Sequence, residues 1–150
     1  MATNFIAMKD ISVSHARLID IPKIASEEGL GNLSVVEKDL IPFAIKRVYY
    51  LYDVPSNATR GGHAHKQLQQ FLVAVSGSFD VVLDDGNIRK TVHLNRPYIG
   101  LYIPNGLWRE LENFSSGAVC VSMVSDNYEE EDYIRNFEEF KLTKGGNLNL

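Results

Sequence analysis

A lone cysteine, Cys120, excludes an intrachain disulfide framework and a cysteine-built zinc site, and a reducing compartment is expected. Positive charge is also in deficit: 15 Lys and Arg stand against 19 Asp and Glu, a formal net charge of −4. Non-specific nucleic-acid binding draws on a basic surface, so no nucleic-acid partner is expected. An anionic ligand would have to meet Arg or Lys placed locally at a pocket. Long apolar runs are missing too. The opening MATNFIAMKDIS has no basic stretch and no apolar run long enough to export the chain or span a membrane. No membrane partner is expected, and the chain is read as cytoplasmic. No repeat, low-complexity tract or linker divides it, so residues 1–150 are expected to form a single domain large enough for one core.

What is present from Ile45 onward is the punctuation of an all-β protein. Short runs of Val, Ile, Tyr and Phe are separated by Gly, Asp, Asn and Pro. Strands are expected near Ile45–Asp53, Gln69–Ser76, Ser78–Leu83, Ile88–Leu94, Tyr98–Ile103 and Val119–Ser125. Asp84-Asp85-Gly86-Asn87 reads as a hairpin turn, because Gly and Asn accept positive φ at little cost. Ahead of these, Ile11 to Ile21 alternates loosely until Pro22 and the Gly29–Asn32 stretch break it. The tail differs. Asp126 and Glu129 read as a helix start, followed by Tyr133, Ile134, Phe137 and Phe140 at roughly helical spacing. The acidic run Glu129 to Asp132 reads as a solvated first turn with no catalytic role.

The stretch that carries chemistry is Arg60-Gly61-Gly62-His63-Ala64-His65. On a strand, residues two apart share a face with α-carbons roughly 6.6 Å apart, so His63 and His65 would enter one cavity and Ala64 would face away. Such a pair can supply two arms of a metal site or an acid–base cluster. Gln70 follows after four residues and Gly77 after six more. Later come Gly100, Pro104-Asn105-Gly106, Trp108, Arg109 and Asn113. In this spacing the sequence resembles the cupin superfamily, which implies a double-stranded β-helix, or jelly-roll, barrel with a short C-terminal helical segment.

In metal-dependent cupins four ligands are expected: two His, a Glu and a later His. Here Gln70 stands at the Glu position and Arg109 at the last His. A neutral amide is a poor substitute for a carboxylate, and a guanidinium cannot ligate and would repel a cation beside it. No metal and no other cofactor is expected. Two imidazoles and an arginine suit general acid–base work on a polar, anionic ligand. Tyr49, Tyr50 and Tyr52 add phenols; Tyr49 must face oppositely to the other two, and Lys46 oppositely to Arg47. Trp108 could stack on a base or pack the barrel mouth, and Lys46 could meet a diphosphate. Cys120, in an apolar run, reads as a small buried thiol, and His15 and His93 as surface residues.

A closer resemblance lies in Ile45 to Tyr50, Arg60-Gly61-x-His63-Ala64-His65-Lys66, Leu83 to Gly86, Gly100-Leu101-Tyr102, Asp132-Tyr133-Ile134-Arg135 and Phe140. Together these resemble the sugar 3,4-ketoisomerases, from about Gly31 to Phe140. The resemblance implies a metal-free enzyme that isomerises dTDP-4-keto-6-deoxyglucose to the 3-keto sugar. It implies His63 as the base between C3 and C4, His65 assisting, and Tyr49 and Arg60 in the active site. Arg109, Gln70, Lys46 and Trp108 are taken as further substrate-binding candidates. A homodimer is expected, with N-terminal strands exchanged. Two alternatives stand beside this reading. One is a 3,5-epimerase of the same sugar, which would need a His–Asp dyad for which the sequence offers no clear Asp; the other is a non-catalytic sugar-binding cupin.

Overall fold

The computed structural model describes residues 8–144, so the expectation about an export segment falls largely outside the described residues. Two antiparallel sheets face each other. The larger runs β1 (Met8–Asp10), β2 (Arg17–Asp20), β10 (Ile99–Ile103), β7 (Gln70–Ser76), β12 (Val119–Val124) and β5 (Arg47–Leu51). The smaller runs β13 (Tyr133–Ile134), β6 (Arg60–His65), β11 (Trp108–Glu112), β8 (Phe79–Asp84) and β9 (Arg89–Leu94). This is the all-β jelly-roll arrangement that the cupin resemblance implies. A separate two-stranded hairpin, β3 (Lys23–Ala25) with β4 (Asn32–Ser34), precedes it.

The main core lies between the sheets. Leu72, Ala74, Leu101, Ile103 and Cys120 from the larger sheet meet Phe79, Val81, Leu83, Val92 and Leu111 from the smaller. Each comes from a run whose inward residues recur every second position, which is why the β punctuation was legible. Gly100 is required by packing: a Cβ there would fall inside the Phe71 ring. The 84–87 turn forms as expected. Gly86 has φ +95°, and Asp85 Oδ1 accepts from Asn87 N at 2.8 Å and Ile88 N at 2.7 Å.

The tail departs from the expected helix. Glu130–Asp132 is a single 3₁₀ turn, Tyr133 and Ile134 pair with His65 and Ala64, and α1 begins only at Phe137 and runs to Lys144. The cause is competition for backbone groups. Lys66 N donates to Asp132 O, and β6 takes up the next two residues as an edge strand. The apolar residues at helical spacing still bury together: Ile134 and Phe140, with Phe137 against them, pack on Ala64 and Trp108 on the outer face of the smaller sheet.

Candidate active site

Between the sheets opens a cavity of about 390 Å³. Strand parity decides who reaches it. On β5, Arg47, Tyr49 and Leu51 line the cavity, whereas Val48 and Tyr50 are exposed on the outer face, as is Tyr52 just past the end of the strand. Lys46 is therefore not part of the lining; its ammonium lies on the surface, 3.9 Å from Asp126. On β11 the same rule separates Trp108 from Arg109. Arg109 pairs across from His63 and lines the cavity, while Trp108 packs edge-on against Phe137 beneath α1 and its indole N–H donates to Glu110 at 3.0 Å. Of the residues singled out from sequence, His63, Tyr49, Arg60, Gln70 and Arg109 meet at the cavity. Lys46 and Trp108 do not, and His65 stands directly behind His63.

At the floor, a polar chain is fully paired. Arg109, 1% exposed, donates from Nη2 to Leu107 O at 2.8 Å and from Nη1 to Gln70 Oε1. The Gln70 amide passes this on, donating to Tyr49 Oη at 2.8 Å and Ser122 Oγ at 2.7 Å. Tyr49 oxygen thus accepts, leaving its own O–H to point elsewhere. Burial raises the Tyr49 pKa and keeps it a phenol. Burial also lowers Arg109 to about 10, so it stays cationic at neutral pH.

The histidines are joined through His63 Nε2 and His65 Nε2 at 3.0 Å. Burial first, then the Arg109 charge, lowers His63 to about 2 and His65 to about 3, so both rings are neutral. Tyr133 lies against both rings, 4.8 Å from His63 and 4.4 Å from His65. Behind them stands a residue the sequence reading set aside. Asp132 Oδ2 is 3.0 Å from His65 Nδ1, and the carboxylate also accepts from the backbone N–H of Gln67 at 2.7 Å and Leu68 at 3.2 Å. The solvated-turn reading of Glu129 to Asp132 holds for Glu129, Glu130 and Glu131, which are exposed, but not for Asp132. Nor does the sequence lack an Asp partner for a histidine. Its one signal was membership of the Asp132-Tyr133-Ile134-Arg135 motif.

Fitness for a metal can be judged on the donor set. Gln70 presents its oxygen to Arg109, and the two imidazoles turn their Nε2 atoms toward each other. Among the described residues no group of three or more His, Cys, Asp or Glu side chains converges as a cation site. These residues do not fit a divalent cation. Cys120 also reaches the cavity, but burial raises its thiol to about 12, against a nucleophilic role. His93 is exposed, 2.6 Å from Asp80, on the outside of the smaller sheet. Among the described residues no helix is long and apolar enough to cross a membrane.

The comparisons with known proteins agree with this geometry. A curated TDP-4-oxo-6-deoxy-α-D-glucose 3,4-oxoisomerase from Aneurinibacillus thermoaerophilus is 44% identical over 125 residues, 83% of this chain and 89% of that protein. A solved 3,4-ketoisomerase from Helicobacter canadensis is 42% identical, covering 85% of this chain and 96% of its own, with a TM-score of 0.81. The 3,4-ketoisomerase QdtA from Thermoanaerobacterium thermosaccharolyticum, solved as a His-to-Asn mutant with TDP-4-keto-6-deoxyglucose, is 38% identical at a TM-score of 0.84, covering 88% and 95%. A family model described as FdtA: WxcM-like, C-terminal matches residues 14–145. The chain belongs to this family, with the sugar 3,4-ketoisomerases as its relatives.

Proposed function

We propose that the protein is a cytoplasmic, single-domain sugar-nucleotide 3,4-ketoisomerase that converts TDP-4-keto-6-deoxyglucose to the 3-keto sugar without metal or other cofactor. The observation that carries this is a neutral His63 on the cavity wall, directly across from the buried cation Arg109 and near the phenol Tyr49. Kinship with named 3,4-ketoisomerases supplies the substrate class.

The chemistry follows from those groups. The C4 ketone acidifies the C3 proton. His63 takes it, and the C–H electron pair becomes the C3–C4 double bond of an enediolate whose charge sits on O4. Arg109 opposes that charge, and the Tyr49 O–H is placed to protonate it; preorganised donors of this kind usually supply the largest share of catalysis. Return of the proton from His63 to C4, with the O3 proton passing to the Tyr49 phenolate left by protonation of O4, leaves the ketone at C3 and restores both groups, so no oxidant or reductant is consumed. Arg47 and Arg60 line the same cavity, and Arg47 Nη1 is buried without a hydrogen-bond partner among the described residues. Both are assigned to the diphosphate, Arg47 in place of Lys46. With substrate labelled with ¹³C at C3 and C4, the ketone resonance is expected to move from C4 to C3. A substrate that binds and stays unchanged would turn the reading to a non-catalytic sugar-binding protein.

A 3,5-epimerase remains as a second reading because the Asp132–His65 contact supplies the His–Asp dyad that such an enzyme would need. It requires exchange at C5, where the ketoisomerase reading requires none. A homodimer is also proposed. Ile24 and Leu33 of the β3–β4 hairpin are 57% and 58% exposed, and Val48, Tyr50 and Tyr52 form an apolar outer face along β5 and just past its end. Sedimentation equilibrium is expected to return twice the 16.9 kDa chain mass, and a single-chain mass at micromolar concentration would refute the dimer.

A further inference from the structure

We infer that Asp132 is a positioning residue that fixes the proton on each histidine, so that the bare nitrogen offered to substrate is His63 Nδ1. This rests on the ketoisomerase reading for its catalytic meaning, though not for its structural content. An ionised carboxylate can only accept; Asp132 accepts from two backbone N–H groups, Gln67 N and Leu68 N, and its Oδ2 lies 3.0 Å from the ring nitrogen His65 Nδ1. His65 must therefore carry its proton on Nδ1. Because that ring is neutral, its Nε2 is a bare acceptor. His63 Nε2, 3.0 Å away, must then be the donor in the imidazole pair. A neutral His63 protonated on Nε2 is bare on Nδ1, since the contact the ring makes with His65 runs through Nε2. The base atom lies two residues along the contact chain from the charge that sets it.

The same chain handles the product of the proton transfer. When the C3 proton arrives on His63 Nδ1, the ring becomes an imidazolium. Its Nε2 proton can pass to His65 Nε2, leaving the positive charge on His65 beside the Asp132 carboxylate. One C–H bond breaks, one N–H bond forms, and the electron pair stays on the sugar. Return to C4 reverses the path.

Asp132→Asn breaks this logic while sparing the fold. The retained oxygen keeps the shorter backbone contact, from Gln67 N–H at 2.7 Å, while the new NH₂ takes the Oδ2 place, gives up the longer contact from Leu68 N–H at 3.2 Å, faces His65 Nδ1 and demands a lone pair there. His65 then carries its proton on Nε2, His63 must accept on Nε2, and His63 Nδ1 is capped by hydrogen. An analogous carboxylate-to-amide change in a serine-protease triad traps the wrong tautomer and lowers kcat by about 10⁴.

The test is long-range ¹H–¹⁵N correlation on full-length protein with ¹⁵N-labelled histidine, which reads the protonated nitrogen of each ring directly. The unaltered protein is expected to show His65 protonated on Nδ1 and His63 on Nε2. His63 protonated on Nδ1 would overturn the proposal with no variant needed. Asp132→Asn is expected to invert both tautomers and lower kcat by roughly 10²–10⁴-fold, with KM changed only a few-fold. Inverted tautomers with normal kcat, or unchanged tautomers with lost kcat, would each reject the positioning role. Failure of the ketoisomerase reading is distinguishable, since the unaltered protein would then show the expected tautomers with no turnover.

Discussion

His63→Asn is expected to lower kcat by roughly 10²–10⁴-fold, the usual range for losing a positioned base, with KM nearly unchanged. The split follows from geometry. An asparagine amide ends near the ring's Nδ1 position and stops short of Nε2, so the contact to His65 Nε2 is lost, but the His65–Asp132 pair and the β6–β11 pairing need not move. What disappears is the neutral imidazole that lines the cavity. Binding draws on other groups, the arginines around the diphosphate and the polar floor, and these stay in place. Steady-state kinetics on the variant separates the two quantities. Near-normal turnover would remove His63 from the mechanism.

Arg109→Met is expected to lower kcat by roughly 10²–10³-fold, the effect of removing one donor from a developing oxyanion. It should also move the acid limb of the pH–rate profile to higher pH. Arg109 is the second cause, after burial, of the lowered pKa values of His63 and His65. Removing its charge makes each imidazolium easier to form, so both pKa values rise toward the ordinary 6.5. In the unaltered protein the base stays unprotonated well below pH 6.5, and the rate should hold through mild acid. In Arg109→Met the rate should begin to fall at higher pH. Stability carries the same signature. Histidines held low in the folded state take up fewer protons than in the unfolded chain, so stability is complete above pH 6.5 and is lost as pH falls below it. Arg109→Met should flatten that dependence, as read by urea midpoints from pH 7 to pH 5. An acid limb that shifts downward, or does not shift, would contradict the electrostatic role of Arg109.

Much of this site could be read from local sequence because strands have a period of two. The His63–Ala64–His65 alternation and the opposed faces of Tyr49 and Tyr50 needed only the assumption of a strand, and both appear in the structure. The same parity explains what was missed. Residues 108–112 lie between the Pro104-Asn105-Gly106 turn and Asn113, and two of the five are glutamates, so no strand was expected there. Once β11 is recognised, Trp108 and Arg109 must part company, one under the helix and one in the cavity.

Asp132 shows the opposite limit. Its partner His65 is 67 residues away, and nothing in the local acidic run distinguishes it from Glu129, Glu130 or Glu131. Only the folded edge, where the β13 segment lies against β6, brings it to the histidine. The tail helix was misplaced for a related reason. The periodicity of Ile134, Phe137 and Phe140 is real and buries a common cluster, but backbone pairing with β6 takes Tyr133 and Ile134 before the helix can start. The N-terminal strands left only a loose alternation, since β1, β3 and β4 bury none of their residues within one chain.

The central claim is that this cavity moves a proton between C3 and C4 of the sugar and leaves C5 alone. Proton NMR of the purified protein with TDP-4-keto-6-deoxyglucose in heavy water tests it most directly. The account predicts a 3-keto product with the C5 proton retained, its C4 hydrogen delivered by His63: protium carried over from C3, replaced by deuterium only to the extent that His63 exchanges with solvent before returning it. Deuterium at C5 with the ketone still at C4 would contradict it in favour of the epimerase.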